Sequence, residues 1–116
     1  MVAVKVEGAR LVIEPSRWEA AGGLIGNFSV PLAEVTKVET TDEPLSFVHG
    51  LRVGVGLPKT RIGSWYHDGV KDYIGIRDGR PAVVVTLMSS SRFSKLVISV
   101  ADPATTATQI RSHAAI

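Results

Sequence analysis

The sequence contains no cysteine, which excludes disulfide bonds, thiolate catalysis and zinc or iron–sulfur sites built on cysteine. No stretch approaches the roughly 18 uninterrupted apolar residues that a membrane-spanning helix needs. The first residues, MVAVKVEG, lack a basic segment followed by an apolar run of about 7 residues, so no signal peptide is expected. These absences predict a cytoplasmic protein without an integral membrane segment.

Charge of either sign is sparse and nearly balanced. Thirteen Lys and Arg stand against 11 Asp and Glu among 116 residues, a formal charge of +2 at pH 7. The bases are dispersed singly from Lys5 to Arg111, whereas a nucleic-acid-binding domain is expected to gather them on one face or helix. The sequence therefore predicts no nucleic-acid partner. With 45% hydrophobic residues, the composition is that of a folded globular protein.

Apolar residues recur with a period of two through most of the chain, the pattern of strands with one buried face. The predicted strand segments are residues 2–6, 11–13, 24–30, 35–38, 47–53, 62–67, 70–77, 82–87 and 96–100, the first two forming either two strands or one kinked strand. Gly22 and Gly23 are interpreted as the hinge of a hairpin. The Asp68-Gly69 and Asp78-Gly79 pairs are typical of tight turns, so the middle of the chain is predicted to be a meander.

A helix is predicted at the C-terminal end. Asp102 is suited to cap free backbone N–H groups, Pro103 has the fixed φ of a first helical residue, and no glycine or proline follows. Ala107 and Ile110 begin an apolar stripe that is expected to face the sheet. No repeat or linker divides the chain. Residues 1–116 are thus predicted to form a single mostly β domain of about seven antiparallel strands, a partly open barrel capped by the helix.

Three longer patterns are informative in combination. Residues 30–38 read VPLAEVTKV, residues 50–58 read GLRVGVGLP and continue to Gly63, and residues 96–103 read LVISVADP. They resemble, respectively, the passage between early strands, the glycine-rich turn before the second sheet, and the last strand with its capping helix in bacterial pleckstrin-homology-like (PH-like) domains of uncharacterised function.

The resemblance implies a split β-barrel of two nearly orthogonal antiparallel sheets, a C-terminal helix that plugs one corner, and no enzymatic activity. Members of the wider fold bind phosphoinositides, peptides or other proteins, so the fold alone does not decide the function. Lipid-binding members carry several bases around the first hairpin. Here that segment, residues 17–28, has only Arg17, so phosphoinositide binding at a membrane surface is not implied.

Three bases, Arg52, Lys59 and Arg61, stand in the glycine-rich segment 50–63. Glycine-rich backbone exposes N–H groups, and with cations around them such a loop is able to cradle an anion. The spacing is not that of a phosphate-binding P-loop. The alternative is a corner between two sheets whose cations are only solvated.

Two aromatic residues, Trp65 and Tyr66, are adjacent in one predicted strand and must point to opposite faces. One ring is expected in the core, and the other is available to stack on a ligand; Trp65 is placed with the three bases in the predicted ligand-binding set. The alternative is ordinary cross-strand packing. Trp18, in a polar stretch, is a second candidate for exposed aromatic surface or for a lid over the barrel mouth.

The three histidines, His49, His67 and His113, are not spaced to share a metal ion, and each is expected on the surface or in a turn. No nucleophile, base and orienting group can be assembled, so no catalytic residue, metal or cofactor is predicted. The leading hypothesis is a non-enzymatic interaction module that binds a protein segment or itself, because an open barrel leaves strand edges to cover. The alternative is binding of a small molecule, an anion or a lipid headgroup through segment 50–63.

Overall fold

The computed structural model describes residues 1–116 and is mostly β, with nine strands. In chain order the elements are β1 (Ala3–Glu7), β2 (Arg10–Glu14), α1 (Arg17–Gly23), β3 (Phe28–Pro31), a 3-10 turn (Leu32–Glu34), β4 (Val35–Thr41), a second 3-10 turn (Pro44–Phe47), β5 (Leu51–Gly56), β6 (Arg61–His67), β7 (Val70–Ile76), β8 (Ala82–Leu87), β9 (Lys95–Ser99) and α2 (Pro103–Ala114). The strands form two sheets, β1-β2-β3 and β4-β8-β9-β7-β6-β5. No helix combines the length and apolar character needed to cross a membrane.

The larger core lies between the two sheets and beneath α2. Its buried members from the three-stranded sheet and the residues that flank it are Val2, Leu11, Ile13, Val30 and Leu32. The six-stranded sheet contributes alternate residues such as Tyr73, Val83 and Leu96, and α2 contributes Ala107 and Ile110. The period-two pattern predicted in the sequence corresponds to this buried face.

A second core covers the opposite face of the six-stranded sheet. Its buried members are Trp65, Ile74, Ile76, Ala82, Val84 and Val97. The segment that leads from β4 at one edge to β5 at the other packs Phe47 and Val48 against them. Because both faces of the central strands are covered, these strands are apolar at consecutive positions rather than at alternate ones.

The predicted antiparallel meander is wrong at β8 and β9. The tight turn at Asp68 and Gly69 joins β6 to β7 as a hairpin, as predicted, but β9 inserts between β7 and β8. It runs parallel to β7 and antiparallel to β8, so the sheet is mixed. Leu96, Val97 and Ile98 are all fully buried, and a strand that is apolar on both faces is most stable in the middle of a sheet.

The predicted first hairpin is instead helix α1. Ser16 and Glu19 form a reciprocal capping box, in which each side chain accepts a hydrogen bond from the backbone N–H of the other. Gly22 and Gly23 are not a hinge: they form the last turn of the helix where it packs on the sheet. A Cβ on Gly22 would press on Val55, and one on Gly23 on Ile62, so glycine allows the close approach of helix and strands.

The predicted C-terminal helix is confirmed. The carboxylate of Asp102 accepts a hydrogen bond from the backbone N–H of Thr105, and Pro103 is the first helical residue. Ala107 and Ile110 are buried against the larger core. Helix α2 packs mainly on β4, which positions it over one edge of the six-stranded sheet.

Candidate functional site

The glycine-rich segment 50–63 is mostly strand, not the loop that its composition predicts. β5 and β6 form a hairpin in which Gly54 and Gly63 lie directly opposite each other. Both have positive φ, +142° and +137°, and a Cβ on either would overlap a backbone carbonyl of the facing strand. The two strands therefore approach more closely here than side chains would permit.

The three predicted anion-binding bases do not converge on the glycine backbone. The guanidinium of Arg52 folds back over Gly56, which pairs with Arg61, so the two arginines share one face of the hairpin. Lys59 lies in the turn between the strands and lines a groove with the carboxylates of Asp42, Glu43 and Asp78. These carboxylates oppose the approach of an anion to Lys59, and anion binding at segment 50–63 stays a prediction.

Of the two adjacent aromatic rings, Trp65 is the buried one, 4% exposed, and Tyr66 is the exposed one. Trp65 packs in the second core, so its ring face is not open to a ligand. Any stacking contact from this strand belongs to Tyr66 instead. Trp18 is half exposed, and the guanidinium of Arg77 lies 4.5 Å from its ring centroid.

The outer edge of β5 is free. The backbone of this strand forms hydrogen bonds only within its ladder with β6, which leaves its outward N–H and C=O groups unpaired within the chain. Leu51 is 79% exposed, and Val53 and Leu57 are exposed as well. The strand contains no proline or lysine, residues that commonly blunt such an edge.

The other edge of the same sheet, β4, is blocked. Its pairing with β8 is interrupted by a bulge between Val35 and Lys37. On its outer side, Nε and Nη2 of Arg111, on α2, donate hydrogen bonds of 3.1 and 2.6 Å to the carbonyl oxygen of Val38. Of the two edges of the six-stranded sheet, β5 is therefore the one whose outward backbone groups stay unpaired.

A histidine–carboxylate cluster lies at the end of the β6–β7 hairpin. Nε2 of His67 is 2.7 Å from Oδ2 of Asp72, and Nδ1 is 3.3 Å from Oδ2 of Asp68. Asp72 is only 2% exposed, and its Oδ1 has no hydrogen-bond partner. The ring centroid of His49 is 6.1 Å from that of His67. The hydrogen bond to Asp72, and then that to Asp68, hold the pKa of His67 above its ordinary value.

The chemical capacity of this cluster is limited. A buried carboxylate that orients an imidazole is the arrangement of a general base, but no hydroxyl is bonded to either ring nitrogen of His67. No group of three His, Asp or Glu side chains is arranged to hold a metal ion. What the hydrogen bonds to Asp72 and Asp68 do is favour the charged form of His67.

We expect the stabilising contribution of His67 to depend on pH. Because the folded state raises the pKa of His67, the contribution is complete below the unfolded value of about 6.5 and is lost as the pH rises through the folded value. The difference in unfolding free energy between the native protein and His67→Gln should be larger at about pH 5 than at about pH 8. Urea unfolding across this range measures it. In an Asp72→Asn background the difference should be flatter, and an equally steep dependence there would contradict the assignment to this pair.

Sequence reasoning missed this cluster, although a signal for it was present. With Asp68 and Gly69 as a two-residue turn, His67 pairs with Val70 and Trp65 with Asp72. His67 and Asp72 are then diagonal neighbours on one face of the hairpin, close enough to bond. The position of His49 could not be read in the same way, because it depends on the path of the crossing segment 44–50.

Comparisons with known protein families, with curated proteins and with solved structures reveal no match to this chain.

Proposed function

We propose that this chain is a non-enzymatic interaction module of PH-like type that pairs, through the free edge of β5, with the β5 strand of a second copy. The observation that carries the proposal is the asymmetry of the six-stranded sheet. Its β4 edge is blocked by a bulge and by Arg111, whereas its β5 edge is open and carries the exposed side chains of Leu51 and Val53. An open edge with apolar side chains favours pairing with another strand.

The low charge of β5 is compatible with pairing to the β5 strand of a second copy. Arg52 is the only charged residue of β5. When two identical β5 strands pair antiparallel, the two Arg52 side chains lie opposite each other only if the pairing is centred on Arg52. In every other register of the strand, each Arg52 lies opposite an uncharged residue. The same edge then supplies donors, acceptors and apolar side chains on both copies, as a twofold interface requires.

The PH-like assignment is supported by the mostly β architecture and by the predicted and observed capping helix at the C-terminal end. The nine strands, the parallel β7–β9 pair and helix α1 depart from the seven antiparallel strands that the resemblance implies. The interaction edge depends on none of these departures, since β5 and β6 form an antiparallel hairpin.

Sedimentation velocity over a concentration series tests the proposal. Because the interface is one short strand, we expect a weak dimer with a dissociation constant of about micromolar or higher. Leu51→Lys should weaken the dimer by about tenfold or more, since it places a charge on the pairing edge at an exposed position with little cost to folding.

Thr40→Lys is the matched control, because it adds the same charge at an exposed position of the blocked β4 edge. It should leave the dissociation constant within about twofold of the native value. A protein that stays monomeric at about millimolar concentration, or equal effects of the two variants, would rule out the β5 pairing.

A further inference from the structure

A second concave surface lies between the β6–β7 turn and the loop that joins β8 to β9, and it reaches Tyr66, the cross-strand neighbour of Leu51 on β5. Its volume is about 480 Å³, and we call it the 66–94 groove. The side chains that matter for its chemistry are Tyr66, Lys71, Ser89, Arg92, Phe93 and Ser94. Backbone hydrogen bonds join the walls of the groove. The N–H of Ser94 donates to the carbonyl of Lys71, and the N–H of Leu87 donates to the carbonyl of Ser94.

The groove carries positive charge without a compensating carboxylate. Lys71 and Arg92 line it, neither forms an ion pair, and no Asp or Glu is among the lining residues. Both cations are held against the same buried ring, with Nζ of Lys71 5.1 Å and Cζ of Arg92 5.0 Å from the centroid of Phe93. Two like charges that line one concave surface create a potential that attracts an anion.

The carboxylate nearest to this groove in the hydrogen-bond network is already occupied. Glu34 accepts a hydrogen bond from the hydroxyl of Ser91, and its own backbone carbonyl accepts one from Met88. Through these two hydrogen bonds, Glu34 holds the loop between β8 and β9 at Met88 and Ser91. Lys71 and Arg92 gain no ion pair from it.

Hydrogen-bond donors complete the groove. The hydroxyls of Ser89 and Ser94 and the backbone N–H groups of Ser89 and Arg92 make no hydrogen bond within the chain. Unpaired loop N–H groups beside a cation form the kind of concavity that holds tetrahedral oxyanions. Hydroxyls and ammonium or guanidinium groups add charge-assisted bonds to the same oxygens.

One wall of the groove is apolar, and this wall indicates which kind of anion fits best. The ring of Tyr66 is exposed at one wall, and Val70 and Met88, also exposed, lie beside it. An ordinary inorganic anion would use the donors and leave this wall uncovered. A ligand with a flat or apolar body would cover it and gain the burial of that surface.

We propose that the 66–94 groove binds a phosphate monoester, with the phosphate held by Lys71, Arg92 and the serine donors and the organic body of the ester packed on Tyr66. A monoester carries up to two negative charges and three acceptor oxygens, which match the two cations and the unpaired donors of the groove. This site uses none of the unpaired backbone groups of β5 and lies outside the segment 50–63.

Titration of isotope-labelled protein with phenyl phosphate, followed by amide chemical shifts at constant ionic strength, tests the proposal. Shifts should cluster at residues 66–71 and 88–94. Phenyl phosphate should bind at least about threefold more tightly than inorganic phosphate, because only the ester covers Tyr66. The double variant Lys71→Gln/Arg92→Gln should lose about tenfold or more in affinity for phenyl phosphate, while keeping the native thermal midpoint within a few degrees.

The matched control is Arg17→Gln/Arg80→Gln, which removes the same number of charges from exposed positions outside the groove. Its affinity should stay within about twofold of native. Absence of binding, equal losses in both double variants, or shifts that cluster at residues 50–63 would each overturn the proposal. If the groove variant unfolds, Tyr66→Ser tests the same site and should reduce the preference for phenyl phosphate over inorganic phosphate.

A vesicle arm separates the two sources of such a phosphate. Sedimentation with phosphatidylcholine vesicles that contain phosphatidic acid, and with vesicles that lack it, reports a lipid-borne monoester. If the native protein binds the vesicles that contain phosphatidic acid and Lys71→Gln/Arg92→Gln does not, the groove is a site for a lipid-borne phosphate monoester. If the protein binds phenyl phosphate but not the vesicles, the groove is a site for a soluble phosphate monoester.

Discussion

Replacing Gly63 with alanine is expected to remove a large share of the stability of the protein. The residue has φ of +137°, and a Cβ would overlap the carbonyl oxygen of Val53 on the facing strand. Backbone strain and overpacking act together, and we expect a loss of about 3 to 5 kcal/mol in unfolding free energy. That is a large share of the total for a domain of this size, about 5 to 15 kcal/mol. Urea unfolding followed by the fluorescence of buried Trp65 measures it.

Two other glycines separate the causes. Gly69 has φ of +79° but nothing near the site of its Cβ, so Gly69→Ala should cost only the strain of a positive φ, about 1 kcal/mol. Gly26 has neither a positive φ nor a neighbour, and Gly26→Ala should be neutral or slightly stabilising. If Gly63→Ala cost no more than Gly69→Ala, the close contact between β5 and β6 would be wrong.

Replacing Glu19 with alanine is expected to have the second largest effect. Its side chain is fully buried, accepts a hydrogen bond from the backbone N–H of Ser16 and lies 3.3 Å from Nη1 of Arg77. Removal leaves Arg77 without its partner, opens the cap of α1 and creates a small cavity. We expect a loss of about 3 kcal/mol in unfolding free energy at neutral pH.

The effect of Glu19 should fade in acid. Burial raises its pKa, but the hydrogen bonds from Ser16, the charge of the Met1 ammonium and the hydrogen bond from Arg77 together outweigh burial, so that the pKa lies below the ordinary value. The stabilisation is therefore present above the unfolded pKa of about 4.3 and is lost as the pH falls through the folded value. The unfolding free energies of the native protein and of Glu19→Ala should accordingly converge as the pH is lowered.

A surface ion pair is the control for Glu19. Glu7 is exposed and lies 3.0 Å from Nζ of Lys5, so Glu7→Ala should cost less than about 1 kcal/mol. Equal costs at the two positions would contradict the anchoring role of Glu19. That role matters for the proposed function, because α1 covers Val55 at one end of β5 and leaves Leu51 exposed at the other.

Several elements could be predicted because their signals are local. The helix α2 follows from Asp102, Pro103 and the apolar spacing after them, and the β6–β7 hairpin follows from Asp68-Gly69. The capping box of α1 had a local signal too, serine followed three residues later by glutamate, but the paired glycines at 22 and 23 were interpreted as a turn. Their actual role is to let a helix pack closely on a hairpin, which depends on a partner distant in sequence.

The candidate sites were less accessible to sequence reasoning. The glycine-rich segment 50–63 was interpreted as a loop, but whether its glycines make a loop or two closely packed strands depends on how they pair. The 66–94 groove joins Tyr66 and Lys71 to Ser89 and Arg92, about twenty residues later, and no spacing rule connects them. Only the insertion of β9 between β7 and β8 brings the loop at 88–94 beside the β6–β7 turn.

The sequence by itself determined the mostly β class, the positions of most strands, the capping helix and the absence of cysteine chemistry. These follow from periods of two, from turn residues and from composition, all of which act over a few residues. The tertiary structure decided the order of strands, the blocking of β4 by Arg111, the free edge of β5 and the placing of His67 beside Asp72. The physical reason is that strand pairing joins residues distant along the chain, and the burial of both faces of the central sheet selects among the pairings that local patterns permit.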